Sequence, residues 1–105
     1  MIKEGDGKTF PKRGDTVEYH YIGTFTDGKK FDSSYDRGQM YKCKVGLGHI
    51  IRGMDDALQQ LSLGERAKLT LASEVAYGSR GTGDVIPPNA DLVFDVELLA
   101  ITPAS

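Results

Sequence analysis

The sequence predicts an α+β fold, in which an antiparallel sheet of four to six strands wraps around one short helix. Three segments alternate apolar and polar residues with a period of two, which is typical of strands buried on one face only. One segment instead repeats its apolar residues at intervals of three and four. Turn-forming residues separate these segments at short intervals, and we therefore expect strands to outnumber helices.

The first predicted strand lies at 17–22, where Val17, Tyr19 and Tyr21 share one face. The Asp27-Gly28 pair that follows is typical of a tight hairpin turn. It leads into a second strand at 30–32, antiparallel to the first.

The helical spacing lies between residues 50 and 61. Its apolar positions are Ile50, Ile51, Met54, Ala57, Leu58 and Leu61. Such a helix has about three turns and is too short to be stable without a surface to pack on. Gly46 and Gly48, just before it, suit a sharp entry into the helix, since the remainder of a dinucleotide or P-loop motif is absent.

Two further strands follow the helix. At 67–71 the apolar residues alternate with Lys68 and Thr70, and at 92–98 the alternation is repeated. No repeat or linker is visible, and we expect residues 1–105 to form a single domain.

Composition excludes several classes of function. The chain has 105 residues, a net charge of −2 and one cysteine. This charge does not favour binding to nucleic acid or to an anionic membrane, and no apolar run is long enough to span a bilayer. A lone cysteine permits no internal disulfide and fits a reducing compartment. We therefore expect a cytoplasmic monomer with no nucleic-acid or membrane partner.

The sequence offers little for metal or covalent catalysis. His20, His49 and Cys43 show no ligand spacing, and we expect no metal and no cofactor. Ser33 or Cys43 could be imagined as a nucleophile, but no nucleophile-elbow motif supports a triad.

The 73–91 segment is long and rich in glycine, yet contains the apolar residues Tyr77, Val85 and Ile86. Long loops in compact domains are often functional, which favours an apolar binding pocket beneath this one. The alternative, that these and the other aromatic residues are all core, remains open on composition alone.

Eight short blocks of the sequence form a recognisable series, at 5–15, 20–23, 27–34, 50–54, 64–69, 76–78, 86–90 and 92–98. Each block alone is weak, but their order and spacing together are specific. Through these blocks the sequence resembles the FKBP family, the immunophilins that are peptidyl-prolyl isomerases and bind tacrolimus and rapamycin. The resemblance covers nearly the whole chain.

The resemblance implies which residues form the site. Those implied to be catalytic are Tyr21, Phe31, Asp32, Tyr77 and Phe94. Those implied to bind substrate or ligand are Arg37, Tyr41, His49, Ile50, Ile51, Met54, Val85 and Ile86. In the family a backbone N–H at the Ile51 position and a hydroxyl at the Tyr77 position hold ligand carbonyls, and Asp32 would orient polar groups, paired with Arg37.

The sequence departs from the family pattern at the pocket. Met54 replaces the usual tryptophan of the floor, Cys43 replaces a usual phenylalanine, and Tyr41 stands where phenylalanine is common. Methionine is more flexible than an indole ring, and we expect weaker activity and weaker drug binding without loss of either.

The expected function is therefore rotation of Xaa-Pro bonds in proline-containing peptides, with binding of tacrolimus- or rapamycin-type macrolides. The drug complex could then present a surface to calcineurin or to the TOR kinase. Two alternatives stay open: a binding module with little turnover, and a structural domain whose aromatic residues are all core.

Overall fold

The computed structural model of the chain describes residues 2–81 and 86–104, and these form five strands, one α-helix and one short 3-10 helix. In chain order the elements are β1 (Thr16–Phe25), β2 (Lys30–Ser33), β3 (Tyr41–Lys44), α1 (Arg52–Leu58), β4 (Arg66–Leu71), the 3-10 helix (Ser73–Val75) and β5 (Leu92–Thr102). In this part of the chain, no helix has the length and apolar character needed to cross a membrane.

The strands form one antiparallel sheet around β1. Its order is β2-β1-β5-β4, and β3 also pairs with β1. β3 pairs with the first half of β1 and β2 with the second half, while β5 pairs with β1 along its full length. This sheet, with its single short helix, confirms the predicted α+β fold.

The predicted hairpin between the first two strands is confirmed. The Phe25 N–H donates to the Lys29 carbonyl at 2.9 Å, and the Gly28 N–H donates to the Phe25 carbonyl at 2.9 Å. The hairpin returns the chain so that Phe31 and Asp32 lie beside the second half of β1.

The helix is shorter than the apolar spacing predicts. It begins at Arg52 and has seven residues, so Ile50 and Ile51 precede it and Leu61 follows it. After Leu58 the chain continues in turns with i→i+3 hydrogen bonds, from Leu61 N–H to the Leu58 carbonyl for example. Such turns keep an apolar residue on the same side of the chain, which is why the spacing alone placed the helix end too late.

One face of the sheet carries the core. Burial alternates along residues 16–23 of β1 and residues 92–98 of β5, as the period of two predicts. The buried set on this inner face, together with α1 and adjoining loops, is Val17, Tyr19, Tyr21, Val45, Met54, Leu58, Leu61, Ala67, Leu71, Ile86, Leu92, Phe94, Val96 and Leu98. The opposite, outer face carries charged pairs such as Arg66 and Asp95.

Candidate active site

A cavity of about 500 Å³ opens between the inner face of the sheet and α1. Its wall contains most of the residues predicted for the site. The lining residues are Tyr19, Tyr21, Phe31, Asp32, Tyr41, His49, Ile50, Ile51, Met54, Tyr77 and Phe94. The volume falls in the range of small-molecule pockets and leaves room for a proline ring.

The inner end of the cavity is formed by buried side chains of the sheet and helix. Tyr19, Tyr21, Met54 and Phe94 are each at most 9% exposed. The aromatic rings pack against one another at centroid distances of 5.9 Å between Tyr19 and Tyr21 and 6.0 Å between Tyr21 and Phe94. Rings held in this way form a wall that keeps its shape when a ligand enters.

Gly23 makes the ring arrangement possible at the other end of the wall. It lies opposite Phe94 on β5, and the register of β1 against β2 shifts just after it. A Cβ atom at Gly23 would come within 2.6 Å of the Phe31 ring and 3.0 Å of the Phe94 ring. Only glycine leaves space for these two rings to meet edge to face, at 5.7 Å.

Of the residues that the structure describes, Asp32 is the one carboxylate in the cavity wall, and its charge is held in a fixed network. The Tyr21 hydroxyl donates to one carboxylate oxygen at 2.6 Å, and the Ser33 N–H donates to the other at 2.8 Å. Arg37 forms an ion pair with Asp32 and also donates to the Tyr21 oxygen at 2.7 Å. The guanidinium carbon lies 5.5 Å from the centre of the Tyr21 ring. The network therefore fixes both the ring and the carboxylate.

The protonation states follow from these contacts. Burial acts to raise the pKa of Asp32, but the hydrogen bonds from Tyr21, Arg37 and Ser33 outweigh it, and the net pKa lies below the ordinary value. Burial raises the pKa of Tyr21, and the hydrogen bond to Asp32 raises it further. Burial also raises the pKa of Tyr77. At neutral pH the wall therefore presents an ionised carboxylate and neutral phenols.

The loop that carries His49, Ile50 and Ile51 is anchored by Asp55 of α1, a residue that the sequence analysis missed. Its buried carboxylate accepts the Gly46 N–H at 2.7 Å and the Gly48 N–H at 3.3 Å. Gly46 has a φ of +78°, a backbone conformation that favours glycine. The signal was an acidic residue in the first turn of a helix that follows a Gly-Leu-Gly sequence.

Not every predicted site residue lines the cavity. Arg37 stands behind Asp32 and lines a second, shallower depression of about 310 Å³. Ile86 is 4% exposed and belongs to the core cluster. Val85 lies outside the described residues. Cys43 is half-buried beside the core, and burial raises the pKa of its thiol.

The cavity wall also contains Tyr19, which the sequence analysis placed only on a strand face. The alternation that pairs it with Tyr21 was the available signal. Among residues 2–81 and 86–104, no group of three or more His, Cys, Asp or Glu side chains is placed to hold a metal ion.

The described residues thus form an antiparallel sheet with one helix, and between them lies an aromatic cavity whose carboxylate, Asp32, is ion-paired. Comparison with known proteins specifies the family. Residues 7–99 match the family described as FKBP-type peptidyl-prolyl cis-trans isomerase, and the chain belongs to that family. The resemblance stated from the sequence is thereby confirmed.

Similar curated proteins carry names that agree with this family assignment. The chain is 56% identical over 101 residues to "FK506-binding protein 1" of Yarrowia lipolytica, covering 96% of this chain and 94% of that protein. It is 54% identical over 101 residues to "Peptidyl-prolyl cis-trans isomerase" of Schizosaccharomyces pombe, covering 96% and 90%. Over 99% of its length it superposes on the crystal structure of FkpA from Escherichia coli, with a TM-score of 0.88 and 42% identity. It spans 47% of that longer chain.

Proposed function

We propose that the aromatic cavity is the isomerase site, and that a Xaa-Pro segment binds with its proline ring at the inner end. The proposal depends on one observation: a cavity of about 500 Å³ is walled by packed rings, and the one carboxylate that the described residues contribute to it is ion-paired with Arg37. In this assignment Tyr21, Phe31, Asp32, Tyr77 and Phe94 act on the substrate, and the remaining lining residues shape the pocket.

The chemistry needs no nucleophile. Rotation about a peptide bond has a barrier of about 18–20 kcal/mol because the twisted amide loses resonance. A twisted amide has less charge separation than a planar one, so transfer from water to an apolar cavity disfavours the planar ground state more than the transition state. About 6 kcal/mol of such differential stabilisation accelerates the rotation by more than four powers of ten.

Polar groups at the rim would fix the backbone of the substrate. Ile51 lies at the start of α1, and its N–H makes no backbone hydrogen bond within the described residues. Tyr77 is half-buried in the same wall, and burial keeps its phenol neutral by raising its pKa. The two groups suit carbonyl oxygens on either side of the proline, so that rotation is confined to the bond between the proline ring and the preceding residue.

Met54 sets how firmly the ring is held. It is 4% exposed and lines the inner end of the cavity, where the family usually has tryptophan. A flexible thioether side chain orders on binding and contacts less of a ring than an indole does. We expect Met54→Trp to lower the KM for Xaa-Pro peptides.

The direct test is an isomerase assay with a Xaa-Pro peptide, read by protease coupling or by NMR exchange. The wild-type chain should accelerate exchange. Tyr21→Ala should lower kcat/KM by about tenfold or more, because it removes at least one contact that stabilises the transition state. His20→Gln is the matched control, because His20 is the adjacent residue of β1 on the outer face. Equal rates for wild type and Tyr21→Ala would place the site elsewhere.

We further propose that the same cavity binds macrolides of the tacrolimus (FK506) or rapamycin type. The relatives named for FK506 binding and the size and aromatic lining of the cavity support this. Titration should show saturable binding, with a micromolar or lower Kd, that competes with Xaa-Pro turnover. Saturable binding without any turnover would instead favour a binding module. A flat titration would contradict the macrolide proposal but not the isomerase assignment.

The proposed function also bears on the oligomeric state, the cellular compartment and the partners of the protein. We propose a monomeric single domain over residues 1–105 that works in the reducing cytoplasm, with proline-containing proteins as clients and without a nucleic-acid or membrane partner. A drug complex would offer its rim to calcineurin or the TOR kinase. Sedimentation tests the monomer, and drug-dependent co-purification with either protein tests the complex.

A further inference from the structure

Tyr19 is a buried polar residue for which the isomerase assignment provides no role. It is 3% exposed, yet it belongs to the cavity wall. Its ring lies between those of Tyr21 and Tyr41, at centroid distances of 5.9 Å and 5.6 Å. On β1 it stands opposite Tyr41 of β3 and Leu98 of β5, which fixes its direction toward the inner face.

The Tyr19 side chain has one polar group, its hydroxyl. Within the described residues it forms no hydrogen bond to an oxygen or nitrogen atom, and its polar neighbour is the Cys43 thiol, a weak hydrogen-bonding group. The hydroxyl is therefore only weakly paired, in a residue that belongs to the cavity wall.

The other polar groups at the inner end are already occupied. The Tyr21 hydroxyl donates to Asp32 and accepts from Arg37, so both of its functions are used. Met54 and Phe94 offer no hydrogen-bond donor. Tyr19 thus supplies the available donor at the apolar end, where burial raises its pKa and keeps the phenol protonated.

A plain proline ring that enters this end offers the Tyr19 hydroxyl no hydrogen-bond acceptor. An unsatisfied buried hydroxyl weakens binding, whereas a ligand that brings an oxygen atom restores the bond. The group that enters deepest is the pyrrolidine ring, since the backbone carbonyls belong at the polar rim near Asp32 and Tyr77.

We propose that Tyr19 is a specificity-determining residue that adapts the cavity to a pyrrolidine ring carrying a hydroxyl group, as in 4-hydroxyproline. The inference rests on the proposed function, because it assumes that the ring occupies the inner end. The substrate class is a polypeptide segment with a hydroxylated proline, for which the Tyr19 hydroxyl donates to the oxygen on the ring.

The test compares wild type with Tyr19→Phe on peptides that differ only at proline, (4R)-hydroxyproline or (4S)-hydroxyproline. NMR exchange gives kcat/KM without a coupled protease. The hydroxyl group alters the intrinsic rotation rate of the peptide, but that effect cancels when the ratio of hydroxylated to plain peptide is compared between the two proteins. We expect this ratio to be about threefold to tenfold higher in wild type for at least one epimer, the size of one neutral hydrogen bond.

Tyr35→Phe is the matched control, because it makes the same chemical change at a residue that is 46% exposed and not part of the cavity wall. Its ratio should equal that of wild type. A general loss of packing in Tyr19→Phe would lower the rates for all peptides together and leave the ratio unchanged.

The outcomes separate the two proposals. Equal ratios in wild type and Tyr19→Phe for both epimers, with plain proline turned over, overturn this inference and leave the isomerase site intact. Absence of turnover for plain proline overturns the proposed function itself. Binding of N-acetyl proline and hydroxyproline amides to wild type needs no variant. Tighter binding of the plain amide than of both hydroxylated amides would also overturn the inference.

Discussion

Adjacent residues of the same strands line the cavity on one face of the sheet and form polar contacts on the other. On β1, Tyr21 points into the cavity and is 9% exposed, while its neighbour His20 stacks on Tyr35 at the outer face, with the ring centroids 4.3 Å apart. On β5, Phe94 lines the cavity, while the adjacent Asp95 accepts two hydrogen bonds from Arg66.

The two faces differ in how far their charged side chains are exposed to water and in how they are paired. On the outer face Arg66 and Asp95 remain partly in water, which screens their attraction. Among the described residues, the cavity wall on the inner face presents one carboxylate, Asp32, which accepts from three donors. If the site acts as proposed, by removing an amide from water, a mobile charge with its own hydration shell would oppose that transfer, whereas a fixed and paired charge does not.

The largest effect is expected from removing a ring of the inner face. Phe94→Ala should lower the free energy of unfolding by about 3–5 kcal/mol, since it deletes a buried aromatic side chain and leaves a void. Urea denaturation measures this loss. Because Phe94→Ala leaves less stable protein for kinetics, Phe94→Leu serves for the isomerase assay, where we expect a clear fall in kcat/KM.

Val93→Ala is the comparison on the outer face. Val93 is the preceding residue of β5 and points away from the cavity. It should cost about 1 kcal/mol or less in stability and leave kcat/KM unchanged. Similar activity losses at Val93 and Phe94 would break the distinction between the two faces.

The sequence alone was sufficient to predict which residues lie on each face of the sheet. It was insufficient to predict which of them line the cavity between the sheet and the helix. A period of two assigns Tyr19, Tyr21 and Phe94 to the inner face because side chains alternate along a strand. The pattern cannot say whether a ring fills the core or borders empty space, since that depends on how far the helix stands from the sheet. Tyr19 was therefore missed, and Ile86 was expected in a wall that it does not line.

The hydrogen bonds that anchor the 46–51 loop could not be predicted from the sequence either. The Asp55 carboxylate accepts hydrogen bonds from the backbone N–H groups of Gly46 and Gly48, in a loop where both glycines have positive φ. Backbone directions of this kind are properties of the folded loop. Arg37 and Asp32, by contrast, were paired through the family resemblance, and the structure places them in an ion pair.

The second prediction tests that anchor. Asp55→Asn should reduce the free energy of unfolding by about 1–3 kcal/mol, because an amide group accepts less strongly than a carboxylate and leaves backbone donors poorly satisfied. The loop bearing Ile50 and Ile51 should loosen, which raises the KM for Xaa-Pro peptides. Urea denaturation and steady-state kinetics measure the two effects.

Asp56→Asn is the matched control, since Asp56 is the next residue of α1 and is exposed. It should change neither quantity by a comparable amount. Equal stability losses at Asp55 and Asp56 would show that the carboxylate-to-glycine hydrogen bonds do not hold the loop.

The third prediction concerns pH and Asp32. Its pKa is lower in the folded chain than the ordinary value of about 3.9, so it stabilises the fold above that value and loses this contribution as the pH falls through the folded pKa. Asp32→Asn should therefore reduce the acid-induced loss of stability between about pH 6 and pH 2.5. The side chain is 39% exposed, and with solvent screening the difference should be below about 1 kcal/mol.

Tyr21→Phe provides a graded variant, because it removes one donor to Asp32 and leaves the charge in place. Its acid-induced loss should be intermediate between those of wild type and Asp32→Asn, as measured by urea denaturation across the pH range. Acid curves for the three proteins that run parallel would contradict the role given to the network.

The smallest effect is expected from the charged pair of the outer face. Arg66→Gln breaks the two hydrogen bonds to Asp95, at 2.9 Å and 2.8 Å, but both groups keep contact with water. The loss of unfolding free energy should be the smallest of the series and should shrink in high salt, since exposed ion pairs are screened. The kcat/KM for Xaa-Pro peptides should be unchanged. Asp95 stands opposite Ile22 of β1 in the register. A tenfold fall in kcat/KM would mean that loss of the Arg66–Asp95 pair on the outer face alters β1 and, through it, the cavity. The two faces would then not act independently.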